Sequence, residues 1–382
     1  MEKDICNKIF PIGFWNYTKC NILDVKESVS DWSKLGMNVA MSSYYSGEED
    51  KEYILKSLDE AHAQGIKMII CDKRTCWLYY TEFGEEEYKK AAKQAVEDFG
   101  WHPAFLAFSV GDEPHIDEWD DMKKSVKIIN SMSNAFVNFL PLYDQSGPEW
   151  YGIKYDGYAD LIVETIKETG LFVVSYDCYT QCNYHFSEKG IDEYFKNLTF
   201  YQDVAKRAGV PLWNTVLSVG HWMYRCPTVD DLRWQIYTSV AHGVNGLLWF
   251  FIYERSKDSS YRQAPINLFY EKTAEFDTLS FENRVFSKCY AENFIGSTLK
   301  EVYHFGKTYA GVKQYENGVI SGLKFKGEYN SSLIISVFED KNKKTFVTVT
   351  NNEQRNIEHL TGEYNGKTIN EWFAPGQMIV IK

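Results

Sequence analysis

Across residues 1–300, short apolar or β-branched runs alternate with longer stretches whose apolar residues recur at helical spacing. Ile9–Trp15, Met37–Tyr45, Ile66–Asp72, Ala104–Gly111, Ala135–Tyr143, Leu171–Tyr176, Pro211–Ser218 and Gly246–Tyr253 read as strands. Between them, Val29–Leu35, Glu52–Gln64, Glu85–Phe99, Asp120–Ser131, Tyr158–Thr169, Ile191–Ala208 and Thr228–Ala241 read as helices. In the second helix, Tyr53, Ile54, Leu58 and Ala61 fall on one face. Gly65, Gly170 and Gly209 stand where helices should stop, and Thr228 with Asp231 three residues on is an N-cap signature. Continuous apolar strands between helices imply a sheet covered on both faces, which is the parallel case. Eight such β–α steps in roughly 250 residues or more predict a (β/α)8 TIM barrel. A doubly wound open sheet would favour a glycine-rich phosphate loop after the first strand, and Pro11-Ile12-Gly13-Phe14-Trp15-Asn16 is not one.

The pattern changes after about residue 305. Ala310–Tyr315, Val319–Phe325, Leu333–Phe338, Thr345–Thr350 and Met378–Ile381 read as short strands. Glu316-Asn317-Gly318, Lys341-Asn342-Lys343 and Tyr364-Asn365-Gly366 read as turns. The expected organisation is a barrel over 1–300 and a small antiparallel β-sandwich over 301–382.

Composition narrows the function. With 41 basic and 53 acidic residues the net charge is −12, which argues against nucleic acid or an anionic membrane surface as the main partner. No apolar run approaches the ~18 residues a membrane helix requires. The N-terminus lacks the apolar core of a signal peptide, so the chain as it stands reads as cytoplasmic, or as secreted if its start was trimmed. Eight cysteines are scattered rather than spaced as a disulfide framework. Cys178, Cys182 and His185 have a metal-like spacing but lack a matching second pair. The 27 Tyr, 24 Phe and 11 Trp fit a large core, and also the stacking of rings on sugar faces.

In such a barrel the active site lies at the C-terminal ends of the strands. Trp15, Tyr45, Asp72, Arg74, Asp112, Glu113, Tyr143, Asp177, Tyr179, His221, Trp222, Trp249 and Glu254 are the candidates at those ends. Carboxyls among tyrosines and tryptophans are what glycoside hydrolysis requires: two carboxyl groups flanking the scissile bond and a walled pocket for the ring. One carboxyl must keep its proton, through burial or a neighbouring negative charge. Asp112 supplies such a neighbour for Glu113 in sequence.

The run Phe105-Leu106-Ala107-Phe108-Ser109-Val110-Gly111-Asp112-Glu113-Pro114 resembles the fourth-strand acid/base segment of clan A TIM-barrel glycoside hydrolases, β-galactosidase-like enzymes and related bacterial hydrolases in particular. Gly243-Val244-Asn245-Gly246-Leu247-Leu248-Trp249-Phe250 resembles their eighth strand. The resemblance implies that Glu113 is the general acid/base, with carbohydrate as substrate and no cofactor. It also implies a nucleophilic Glu at the end of strand seven. Here that strand runs Trp213-Asn214-Thr215-Val216-Leu217-Ser218-Val219-Gly220-His221 and holds no carboxylate. Asp177 is the preferred second carboxylate, ahead of Glu254 and Asp72.

Other readings compete. Asp112-Glu113-Pro114 could open a helix, where acids suit the dipole and Pro suits the first turn. Asp177 could orient Arg74 or a tyrosine, and Glu254-Arg255 could form a surface ion pair. A histidine-rich metallohydrolase is disfavoured because neither the first nor the fifth strand carries a histidine. Lys73 is the lone strand-end lysine available to a Schiff-base aldolase. The rival of a different class is a catalytically silent carbohydrate-binding barrel, motivated by the missing strand-seven carboxylate.

Overall fold

The computed structural model describes residues 4–142, 152, 155–183, 188–255, 260–326 and 331–382. Its first eight strands are β1 (Ile12–Phe14), β2 (Val39–Met41), β3 (Lys67–Ile70), β4 (Phe105–Asp112), β5 (Ala135–Phe139), β6 (Val174–Asp177), β7 (Leu212–Leu217) and β8 (Gly246–Phe250). They form one parallel sheet in the order β1-β8-β7-β6-β5-β4-β3-β2. Asn38, just before β2, bridges the seam to β1: its Nδ2 donates to the Phe10 carbonyl, and its Oδ1 accepts from the Ile12 amide at 2.8 Å. The outer ring includes α1 (Val25–Lys34), α2 (Lys51–Ala63), α3 (Trp77–Phe83), α4 (Glu85–Ala95), α5 (Trp119–Met132), α6 (Tyr155–Thr169), α7 (Glu188–Ala208), α8 (Val229–Ala241) and α9 (Ala274–Cys289). Short helix α3 goes beyond the expected helices; its Trp77 and Tyr80 are buried while Leu78 and Phe83 stay exposed, a pattern too brief to register as periodic.

The period of two along each strand divides the core in two. Trp15, Val39, Ile69, Leu106, Phe136, Trp213 and Leu248 pack together inside the barrel. Their strand neighbours Phe14, Met68, Ile70, Val137, Tyr176 and Trp249 pack between sheet and helices. Tyr176 stacks on Tyr201 of α7, with ring centroids 4.1 Å apart. Helix α8 begins with the expected cap: the Thr228 hydroxyl accepts from the Asp231 amide while the Asp231 carboxylate accepts from the Thr228 amide.

After the short helix α10 (Ala291–Phe294), the chain builds β9 (Thr298–Gly306), β10 (Lys313–Gln314), β11 (Ser321–Phe325), β12 (Ser332–Glu339), β13 (Thr345–Asn351), β14 (Glu358–Tyr364), β15 (Lys367–Phe373) and β16 (Met378–Ile381). Two sheets result, ordered β10-β9-β12-β13-β16 and β11-β14-β15. Alternation again assigns the faces. Leu333, Ile335 and Val337 of β12 meet the small sheet, while Ile334 and Phe338 join the barrel's outer core. The Ser336 hydroxyl donates to the Ala241 carbonyl at the end of α8. Ala310–Tyr315 contributes only the two-residue β10, and β9, β14 and β15 go beyond the expected strands. Strands β14 and β15 carry polar residues on their exposed positions and hide little apolar length. The turn at Asn365-Gly366 joins them, both residues at positive φ (48° and 76°) as a tight hairpin turn requires. Among the described residues no helix is long and apolar enough to cross a membrane.

Candidate active site

The site is organised by an irregularity in β4. Ser109 pairs with Phe136 of β5, but the next paired residue is Gly111, opposite Val137. Val110 is therefore an extra residue, a β-bulge of the kind that re-aims side chains beside active sites. The insertion reverses the parity of the residues after it. Asp112 pairs with Asn138 and faces the barrel interior, where regular alternation would have turned it toward the helices. Gly111 makes the bulge possible: it has φ +153°, and a Cβ there would lie 1.9 Å from the Trp77 ring. Glu113 then adopts φ +47°, rare for a side-chain-bearing residue, with its amide held at 3.0 Å by the Asn138 carbonyl. Backbone conformations of this kind cost about 1–3 kcal/mol and gather at functional sites.

Asn138 joins the carboxyls of two strands. Its Nδ2 donates to Asp112 Oδ1 at 3.1 Å and to Asp177 Oδ1 at 2.7 Å. Its Oδ1 accepts from the Ser175 hydroxyl at 2.8 Å, which fixes the amide's orientation. One nitrogen touching both oxygens keeps Asp112 Oδ1 and Asp177 Oδ1 within about 6 Å of each other.

Glu113, Asp112 and Asp177 share one electrostatic environment at the barrel mouth. Burial, then the charge of Asp177, then that of Asp112, push the Glu113 carboxyl up to about 10. Burial and Asp177 push Asp112 up to about 7, against the Asn138 hydrogen bond. Burial raises Asp177 to about 6, with Asn138 and Tyr179 both favouring its charged form. Asp112 retains solvent contact and the other two are half-buried, so the three open onto solvent while protein packs closely around their remaining sides. The resulting order leaves Glu113 the strongest holder of a proton and Asp177 the readiest to ionise.

Removing the shared donor tests this arrangement. Asn138→Ala is expected to raise the titration of Asp177 and Asp112 together, since a hydrogen bond to a charged group favours the ionised form by ~1.5–3 kcal/mol. Carboxyl 13C titration by NMR measures it; an unmoved Asp177 would mean that Asn138 does not stabilise the anion.

An aromatic wall stands beside the carboxyls. Tyr17 lies within electrostatic reach of Asp112, Asp177 and Arg255. It stacks on Trp15 with centroids 6.3 Å apart, and the Trp15 indole donates to the Thr215 hydroxyl at 3.1 Å. Arg255 lies over Tyr17, Tyr261 stacks on His221 at 4.7 Å, and His221 stacks on the exposed Trp222 at 4.6 Å. Tyr179 packs on Phe250 and Tyr224.

Other expected residues lie elsewhere. Asp72 follows Cys71, which packs on the interior core, so parity turns Asp72 outward. There Arg74 grips it through Nε and Nη2 at 3.1 and 2.7 Å and reaches Asp98 at 2.7 Å. Tyr45 lies under the Arg74 guanidinium at 4.3 Å, in the same outer layer. Arg74 is thus oriented by Asp72 and Asp98 rather than by Asp177. Trp249 is fully buried on the helix side, donating to Asn283 at 3.0 Å, because Leu248 before it takes the inward position. The structure therefore places Asp72, Arg74, Tyr45 and Trp249 in the layer between sheet and helices, away from the three carboxyls. Glu254 is half-buried and does not figure among the charges that act on Glu113. Among the described residues it forms no ion pair with Arg255. Tyr143 and His185 lie outside the described residues. Asn138, Ser175, Tyr17 and Tyr261 are additions to the expected set. Asn138 had a signal: an amide in an otherwise apolar strand must find partners when buried.

A cleft of about 650 Å³ lies at the other end of the barrel, lined by Cys6, Phe172, Pro211 and Asn245 near the strand starts. It is remote from the carboxyls, at the end of the fold that carries stability rather than chemistry.

No protein-family model and no curated protein sequence matches the chain. Solved structures do. The chain is similar to the β-galactosidase of the psychrophilic Marinomonas ef1 at a TM-score of 0.53 and 12% identity, over 72% of this chain and 59% of that one. A β-galactosidase from the haloarchaeon Halorubrum lacusprofundi matches at TM-score 0.54 and 11% identity, over 72% and 58%. Gas2p of Saccharomyces cerevisiae matches at 0.51 and 12%, over 72% and 60%. The chain spans less than two thirds of each. The likeness establishes the fold these proteins share, a TIM barrel used by glycoside hydrolases.

Proposed function

We propose that this protein is a glycoside hydrolase in which Glu113 is the general acid and Asp177 the second carboxylate. The observation that supports this reading is that Asp177, held by the Asn138 amide, acts with its charge on the buried Glu113 carboxyl at the C-terminal mouth. Glu113 gives its proton to the glycosidic oxygen as the bond to the anomeric carbon breaks. Ionised Asp177 supports the positive charge that develops on the ring, water then bonds through its oxygen to the anomeric carbon, and the proton it loses returns to the Glu113 carboxylate. Asp112, next to Glu113 and hydrogen-bonded to the same amide, strengthens the hold of Glu113 on its proton. The scheme uses the chain's own carboxyls and calls for neither metal nor cofactor. Tyr17, Tyr179, His221 and Trp222 wall the sugar. Residues 1–300 carry the chemistry in this reading, with 301–382 as a sandwich braced against it.

The test is release of sugar from a panel of plant, microbial and host glycans by wild type and Asp177→Asn. Release by wild type should fall by about 10²–10⁴-fold in the variant. Its wild-type pH profile should rise as Asp177 ionises near 6 and decline only on the alkaline side, as Glu113 loses its proton. Equal release by both proteins would remove Asp177 from the mechanism. Binding without release from any glycan would favour the silent barrel.

A further inference from the structure

Cations around this barrel are mostly committed. Arg74 is held by Asp72 and Asp98. Arg225 forms a buried pair with Asp231. The Arg262 guanidinium donates to the carbonyls of Ser260 and Tyr224. Arg255 differs. Its guanidinium carbon lies 4.3 Å from the centre of the Tyr17 ring and 5.1 Å from that of Tyr261. Among the described residues its one hydrogen bond runs from Nη1 to the Tyr261 hydroxyl at 3.3 Å, and no carboxylate pairs with it.

Stacking covers the flat surface of a guanidinium and leaves its rim of N–H donors pointing outward, in the fork that matches a planar or tetrahedral oxyanion. The two tyrosines also hold the side chain in place, so little rotamer freedom remains to be lost on binding. Position supports a role in recognition. Tyr17 feels Asp112, Asp177 and Arg255 together, so carboxyls and guanidinium are gathered around one aromatic ring at the barrel mouth. Yet Arg255 is not among the groups that shift Asp112, Glu113 or Asp177. Its charge is therefore not consumed in balancing the carboxyls.

We propose that Arg255 recognises an anionic substituent, a carboxylate or a sulfate ester, on the sugar bound beside Asp112 and Asp177. The inference rests on the glycan-site reading above and names the class of glycan: acidic rather than neutral. The outward rim of Arg255, held against Tyr17 and Tyr261, would select the charged member.

Isothermal titration calorimetry on the full chain tests it without requiring turnover. The probes are glucose and galactose, glucuronate and galacturonate, and glucose 6-sulfate and galactose 6-sulfate. Wild type should bind at least one anionic sugar tenfold or more tightly than its neutral parent. A preference for uronates identifies a carboxylate, and a preference for 6-sulfates identifies a sulfate. Arg255→Gln should erase the preference, and Arg255→Lys, which keeps the charge but not the fork, should retain only part of it. Wild type without a preference overturns the proposal, whether both classes bind or neither does; so does a preference that survives in Arg255→Gln. Release of neutral sugars with no anionic preference would leave the hydrolase reading standing and sink this one. An anionic preference alongside unchanged release in Asp177→Asn would do the reverse.

Discussion

Glu113→Gln is expected to lower turnover by about 10²–10⁴-fold, the contribution of a positioned general acid, while making the protein more stable. Gln preserves the shape but has no proton to give. The stability gain stems from the raised carboxyl. In the unfolded chain Glu113 ionises near 4.5, and in the folded protein only near 10. Between those limits the native state holds a proton that the unfolded chain has released, so stability falls as pH rises through that window. The stabilising contribution is complete below the unfolded value and is lost on the way to the folded one. Gln does not titrate, so its advantage is absent at pH 4 and grows toward alkaline pH. Relief of this kind is worth about 1–2 kcal/mol. Denaturant melts of both proteins at pH 4, 7 and 9, with turnover assays alongside, measure both effects. Equal stability at all three pH values would mean that Glu113 is ionised and at ease in the fold, and unsuited to be the acid.

Gly111→Ala should be the most damaging small substitution in the barrel. The added Cβ would lie 1.9 Å from the Trp77 ring, and the backbone there, at φ +153°, is one that side chains disfavour. Overpacking and strain together predict a loss of about 3 kcal/mol or more. Activity should fall further than stability explains, because the bulge at Val110 and Gly111 is what turns Asp112 inward and sets the backbone of Glu113. A shift in denaturation midpoint reads the first effect; turnover under conditions where the variant is folded reads the second. Trp77→Ala in the same chain should recover part of the stability by removing the clash, but not the conformational cost. A Gly111→Ala protein of wild-type stability and activity would show that the bulge relaxes without consequence.

These two positions mark how far the residues could be read in advance. Glu113 is legible because the apolar run before it is long, ends abruptly in Asp-Glu-Pro and falls at a strand's C-terminal end, where barrel chemistry resides. Asp177 is legible on the same grounds, one strand from Asn138. The bulge is invisible, since a glycine in a strand does not announce an insertion. Asp72 and Trp249 depart from expectation for one reason: standing at a strand end does not say which face a residue takes, and a single step of parity sends it inward or outward. Trp249 packs under Asn283 and Asp72 under Arg74 because their neighbours Leu248 and Cys71 fill the inward positions.

Periodicity alone determined that the chain makes eight alternating strands and helices followed by a β-rich tail, because burial on both faces of a parallel sheet leaves uninterrupted apolar strands that can be counted. It also placed Glu113 and Asp177 at the mouth. Their surroundings were decided only in three dimensions: by an extra residue in β4, by an asparagine from β5 between Asp112 and Asp177, and by tyrosines carried by loops far apart in the chain. Local sequence patterns report the preferences of segments a few residues long. The distance between two charges, and hence which of them keeps its proton, is set by register and closure of the whole barrel.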